Sequence, residues 1–247
     1  MKKWLAVGAA FLSVYVIFLI AFLPANFIVN KIQLPKNIQI GNVSGSVWQS
    51  EIDSLLVDNL RINNINVQVN WLSLIAFNPT ADVEFGGALY RGPEGQLSVS
   101  GFLSDLTISN LHLDISANEI AQQLPLPIPA QAKNIVSVVI DNFVIGQPVC
   151  QQLSGRLKWD DAEIVALSEQ VPLGTLSATL GCEKGKGQAI LNENNALGVS
   201  FIAELGANGA ISGNGYLTPP QSLPKAIKQV LPFLGRQDRE GRYRLFF

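Results

Sequence analysis

Residues 55–71, LLVDNLRINNINVQVNW, decide the fold class. Apolar and polar residues alternate along this stretch, and a period of two marks a strand with one buried face. The same period recurs in IQIGNVSGSVWQ (38–49), ADVEFGGALY (81–90), GQLSVSGFLSDLTISNLHLDIS (95–116) and NIVSVVIDNFVIG (134–146). It continues through GRLKWDDAEIVAL, GTLSATLGC, GQAILN, LGVSFIAELG and GAISGNGYL to GRYRLFF (241–247), with Gly, Asn or Pro at the run ends. The expectation is a mainly β chain whose antiparallel, strongly twisted sheet curls into a groove or partial barrel. With few helices to cover the apolar strand faces, curling, a partner or lipid must do so.

Two stretches depart from the period. ANEIAQQL (117–124) reads as a short helix ended by Pro125, Pro127 and Pro129. SLPKAIKQVLPFL (222–234) reads as a second, with Ser222 as N-cap and Pro232 ending or bending it. LPLPIPA (124–130) is the candidate boundary between halves 35–124 and 131–247, or a rigid connection within one sheet. GSVW (45–48) and GRLKW (155–159) each precede an alternating run, an echo that suggests two related halves.

Upstream of the strands, no charged residue occurs from Trp4 to Asn30, and Lys2 and Lys3 precede that run. A bilayer core takes roughly 20 apolar residues, so the run is long enough to cross. The lysine pair predicts that residues 1–3 stay in the cytoplasm and that the chain beyond Lys31 is exported. Residues 4–25 are therefore expected to be a membrane anchor, carried by Trp4, Leu5, Phe11, Phe18 and Leu23. A cleaved signal is the alternative. Its apolar core would run about 7–15 residues, and Leu23-Pro24-Ala25-Asn26 lacks the small-x-small site.

Composition narrows the function. The formal net charge is −2, which leaves no basic footprint for nucleic acid. Charged residues make up 15%, against about 25% in ordinary soluble domains, so Asn, Gln, Ser and Thr must supply the solvent-facing polarity. The two cysteines, Cys150 and Cys182, lie on the exported side, where an isolated pair most often forms a disulfide. A metal site would need further ligands, and the single histidine, His112, has no partner spacing to either cysteine.

Motifs for catalysis are missing from the sequence. His112 sits mid-strand in LHLDI, on the side opposite Leu111, Leu113 and Ile115, with no nucleophile elbow anywhere. No GxxxxGK[ST] loop occurs, and the glycines of GANGAISGNGYL suit turns and bulges better than phosphate. Asp160, Asp161 and Glu163 are expected in a hairpin turn, without the oxygen-ligand spacing of a calcium loop. Trp48, Trp71 and Trp159 are expected at strand positions, packed in the core, with an exposed strip as the alternative. Arg236, Arg239, Arg242 and Arg244 alternate with Asp238 and Glu240, which reads as a solvated turn before a last strand, Tyr243 to Phe247. A docking segment for an acidic partner is the other reading of that tail. No catalytic, cofactor or metal-ligating residue is assigned.

GNVSGSVWQS (41–50), LPLPIPA (124–130), PVCQQLSGRLKWDDAEI (148–164), LGTLSATLGC (173–182) and the terminal GRYRLFF occur in an order that resembles the type II secretion system protein N family, also called general secretion pathway protein N. The likeness spans nearly the whole chain. It implies a single-pass protein of the bacterial inner membrane with a β-rich periplasmic domain. Such a protein is a non-enzymatic accessory of the machine that moves folded proteins across the outer membrane, and its neighbours are the other platform components. The anchor followed by alternating strands is also similar, in pattern and topology, to AsmA-like proteins, which implies a lipid-binding or lipid-shuttling groove as the alternative function.

Overall fold

The computed structural model describes residues 2–31, 37–58, 60–87, 92–102, 105–123, 130–166, 168–193, 195, 198–221, 223 and 225–246. The chain divides into two compact units, 1–91 and 92–247. LPLPIPA falls inside the second, and its residues 124–129 lie outside the described ones.

The first unit opens with helix α1 (Lys2–Ala21) and a short α2 (Ala25–Val29). Strands β1 (Ile38–Ile40), β2 (Val43–Gly45), β3 (Gln49–Val57), β4 (Leu60–Asn70) and β5 (Thr80–Phe85) follow, with α3 (Trp71–Ile75) between β4 and β5. The order is β1-β3-β4-β5, antiparallel throughout, and β2 pairs with β3. In β4 the alternation of Ile62, Ile65 and Val67 with Asn and Gln is interrupted once, at Asn64. Its φ of 50° lets two polar residues follow one another without turning the strand over.

The second unit holds β6 (Glu94–Ser100), β7 (Thr107–Ser116), α4 (Ala117–Gln123), β8 (Ala130–Lys133), β9 (Ile135–Ile145), β10 (Cys150–Ala166), β11 (Glu169–Glu183), β12 (Lys186–Leu191), β13 (Val199–Leu205), β14 (Ile211–Leu217), α5 (Lys225–Val230) and β15 (Tyr243–Phe246). Its strand order is β6-β7-β9-β10-β11-β12-β13-β14-β15, antiparallel between neighbours, with β8 lying along the far end of β10. Among the described residues β6 and β15 do not pair with each other, so this sheet does not close into a barrel. It curls instead, since α4 and side chains of β8 through β12 surround a common space on one face.

Burial is concentrated in small clusters. Ala117, Ala132 and Val136 form one under α4, and Ala162, Val171 and Leu173 form a second on the β10–β11 hairpin. Leu217, Leu231 and Tyr243 close the C-terminal end, where the 3₁₀ turn at Leu231–Leu234, which follows α5, packs on β14 and β15. Trp159 packs against both of the first two clusters. Cys150 and Cys182 are joined by a disulfide that ties the start of β10 to the end of β11.

Several expectations are revised. The helices are more numerous than two, because α2 and α3 are short apolar segments that strand periodicity does not reveal. The helix expected from Ser222 is α5, beginning at Lys225; Ser222 lies outside the described residues, and Pro232 sits in the 3₁₀ turn. Asp160, Asp161 and Glu163 are not in a turn. They lie inside the 17-residue strand β10, where Asp161, at φ 46°, forms a bulge opposite β11. The bulge tolerates a left-handed residue, and Asp adopts that conformation more readily than most. The two Trp motifs also part company: Trp48 ends a tight turn before β3, whereas Trp159 is in mid-strand.

Candidate functional site

Among the described residues acidic and basic side chains meet as separate surface pairs. The nearest approach to a dyad is His112, whose Nε2 lies 3.5 Å from Oδ2 of Asp114 on the exposed face of β7, where Ser137 donates to the same carboxylate. Asp160 accepts from Lys158 at 2.9 Å and from Thr175 at 3.1 Å, and Glu163 pairs with Lys133. The Lys158 bond, helped by Thr175, holds the Asp160 carboxyl below its ordinary pKa. Among the described residues no three His, Cys, Asp or Glu side chains lie together as a metal site would require.

The arginine-rich tail forms a turn built on one carboxylate. Asp238 accepts from the backbone N–H groups of Glu240 and Arg242 and, at 2.8 Å, from Nε of Arg242. These bonds, the Arg242 amide first, lower the pKa of Asp238. The guanidinium of Arg242 lies 4.3 Å from the ring centre of Tyr216, so it is held over β14 and leads the chain into β15. Among the described residues no strand follows β15 in the order, and Arg244 and Phe246 are exposed on this edge.

Apolar surface is where the chain concentrates its features. Under α4 lies a cavity of about 310 Å³, large enough for a small ligand or part of a lipid chain. Leu157, Trp159 and Ile164 of β10, Leu176 of β11 and Leu191 of β12 line one side, and Ala117, Ile120 and Ala121 of α4 line the other. Ser177 is the one polar residue in the lining. The space exists because Ala117, Ala121, Ala132 and Ala178 stand where longer side chains would fill it. Trp159 directs its one polar atom elsewhere, since Nε1 donates to the Lys133 carbonyl at 2.8 Å and leaves the ring to the cavity. The alanines in ANEIAQQ and AQAK were the available sequence signal, but nothing in them says that they face one another.

The second apolar feature is the junction of α1 with the first sheet. Ser46 Oγ caps the turn between β2 and β3 by accepting from the backbone N–H of Trp48. Gly45, at φ +85°, permits this turn; a Cβ there would stand 2.4 Å from the Gln49 carbonyl. Trp48 Nε1 then reaches the Ile20 carbonyl at 2.9 Å, and the Val47 amide donates to the Leu23 carbonyl at 2.9 Å. Thus the end of α1 and the residues just after it find donors in the hairpin. Trp4, Phe11 and Phe18 are exposed along α1 and Leu23 is half-buried, while the Leu5 side chain lies outside the described residues. Counted over the described residues, no helix is long and apolar enough to cross a membrane.

The comparisons with known proteins decide the family. The model of the type II secretion system (T2SS), protein N, matches residues 36–246. The chain belongs to that family. Type II secretion system protein N of Aeromonas hydrophila is 31% identical over 99% of this chain and 98% of its own length. The protein of the same description from Vibrio cholerae is 24% identical over 98% of this chain and 97% of its own. No solved structure matches the chain. Membership makes the protein a type II secretion component, and both the disulfide-tied hairpin and the β15 edge lie within the matched residues.

Proposed function

We propose that this protein is a non-enzymatic, inner-membrane-anchored adaptor of the type II secretion apparatus. Residues 4–25 tether it, with residues 1–3 in the cytoplasm and the β-rich chain from residue 26 in the periplasm. The tether is supported by the uncharged run from Trp4 to Asn30, which is long enough for the roughly 20 apolar residues a bilayer core takes. The mature N-terminus, read by mass spectrometry, tests it; a chain starting near Asn26 overturns it.

The observation that carries the adaptor role is the edge of β15, which no strand covers among the described residues. A free edge offers a row of backbone donors and acceptors that a strand of another protein can extend. Cysteines introduced at Arg244 and Phe246 in intact cells are expected to crosslink to other secretion components, and supporting export of folded proteins would follow from that contact. Deletion of the protein is expected to impair secretion or assembly. Normal secretion and assembly together with no crosslinked partner would defeat the reading.

The apolar cavity under α4 favours a second reading, an AsmA-like lipid-binding or lipid-shuttling module. Native mass spectrometry of the protein purified from membranes discriminates. A lipid that stays bound to the wild type and is lost from a cavity-filling variant supports this reading, and equal lipid loads in both dismiss it.

A further inference from the structure

The segment between β4 and β5, WLSLIAF (71–77), turns its apolar side chains outward. Trp71, Leu72, Ile75 and Phe77 are 60%, 56%, 68% and 84% exposed, and Leu74 is exposed as well. Several of its polar groups are already used. Asn70 Oδ1 caps α3 by accepting from the Leu72 amide at 3.0 Å, and Ser73 donates to the Asn70 carbonyl while accepting from the Thr80 amide at 2.8 Å. The Asn78 amide closes back on the Ser73 carbonyl at 3.0 Å, and Phe77, at φ 54°, reverses the chain. No charged residue occurs from Ile62 to Ala81. Such a segment enters an apolar boundary without desolvating a charge.

Its position in the first unit says which boundary. The Val69 amide donates to the Trp48 carbonyl at 2.8 Å, and Trp48 is the residue whose indole holds the Ile20 carbonyl at the end of α1. One residue, Asn70, separates Val69 from Trp71, at most about 7 Å of chain. Hence α3 emerges beside the point where α1 leaves off, and Phe22, Phe27 and Ile28 extend the exposed apolar surface on the α1–α2 side.

We propose that residues 71–77 are a second membrane contact, seated at the headgroup–acyl boundary of the bilayer in which residues 4–25 are proposed to be anchored. The first sheet then stands on two points with its β3–β4 hairpin directed away from the lipid, and Trp71 takes the interfacial position that tryptophans favour. This rests on the anchoring proposed above.

The test uses the full chain in vesicles of phosphatidylethanolamine and phosphatidylglycerol carrying nitroxide-labelled lipid. A fluorophore is attached to Ile75→Cys, Phe77→Cys or, near the far end of β4, Arg61→Cys; the native cysteines are paired and do not react. Ten residues of strand place Arg61 roughly 30 Å from α3. The labels at 75 and 77 are expected to lose most of their emission to the nitroxide and to shift to the blue, with the label at 61 unaffected. The double variant Leu72→Asn, Ile75→Asn is expected to abolish quenching at 77 while lowering the thermal midpoint little, since both side chains are more than half exposed. Release of the protein by alkaline extraction would refute the anchor itself. Retention of the protein with labels at 75 and 77 no more quenched than at 61 would overturn the second contact alone.

Discussion

Trp48 Nε1 donates to the carbonyl oxygen of Ile20 at 2.9 Å, across 28 residues of chain. Through that bond a β-hairpin turn caps the end of an apolar helix, so the helix and the first sheet are coupled at a defined point. Replacing Trp48 with Phe keeps the ring and removes the donor. A net loss of about 0.5–1.5 kcal/mol is expected for the bond, read as faster amide exchange at Val47 and in the last turn of α1 with the β content by circular dichroism unchanged. Unaltered exchange there would mean that the bond does not hold the helix.

The β10–β11 hairpin carries the tightest packing. Leu173 is 2% exposed between Ala162 and Val171. Leu173→Ala is expected to cost about 2–5 kcal/mol, measurable as a lower denaturation midpoint. Leu205→Ala, at an exposed position, serves as the control and is expected to change the midpoint little.

Reduction of Cys150–Cys182 opens a crosslink between positions 32 residues apart. In the chain-entropy model such a loop is worth about 3–4 kcal/mol. The Cys150→Ser, Cys182→Ser double variant is expected to unfold earlier in urea and to become insensitive to reductant. Equal midpoints for wild type and variant would show that the bond adds nothing to the hairpin it joins.

Three surface carboxylates set an acid limit. Glu204 accepts from Lys186 and Gln188 at 2.9 Å each, and these bonds, Lys186 first, lower its pKa; Asp160 and Asp238 are lowered likewise. A carboxyl whose folded pKa lies below its unfolded value contributes stability above the unfolded pKa and loses it as pH falls through the folded one. Thermal stability is therefore expected to be flat near neutrality and to decline below the ordinary carboxylate range. Each contribution is small because the groups are exposed. In the Glu204→Gln variant the decline should be shallower; an identical pH profile would remove Glu204 from the account.

Filling the cavity under α4 separates its two roles. Ala121→Leu places an isobutyl group in the space and is expected to leave the midpoint of unfolding close to wild type while displacing any bound lipid. A large loss of stability would indicate that the cavity is smaller in solution than its lining suggests.

Much of this was legible in the amino-acid order. The period of two located nearly every strand, because alternation is a property of local backbone geometry and survives whatever the strand pairs with. Residues 117–123 were recognisable as helix for the same reason, with the prolines after them as the stop. Trp71 was not. It continues the alternation that runs from Ile65, yet Asn70 captures the Leu72 amide and starts a helix, so the ring leaves the sheet. Asp160 and Asp161 were misplaced because turn and bulge ask for the same residues, and only the partner strand tells them apart.

By itself the sequence determined strand periodicity, the uncharged N-terminal run, the solitary cysteine pair and the family, all of which are local or additive along the chain. Tertiary structure alone decided that Trp48 meets Ile20, that the alanines of α4, β8 and β11 leave a common cavity, and that WLSLIAF faces outward. Those features depend on which distant strands become neighbours. Their register is set by the summed burial of many side chains, which no single segment encodes.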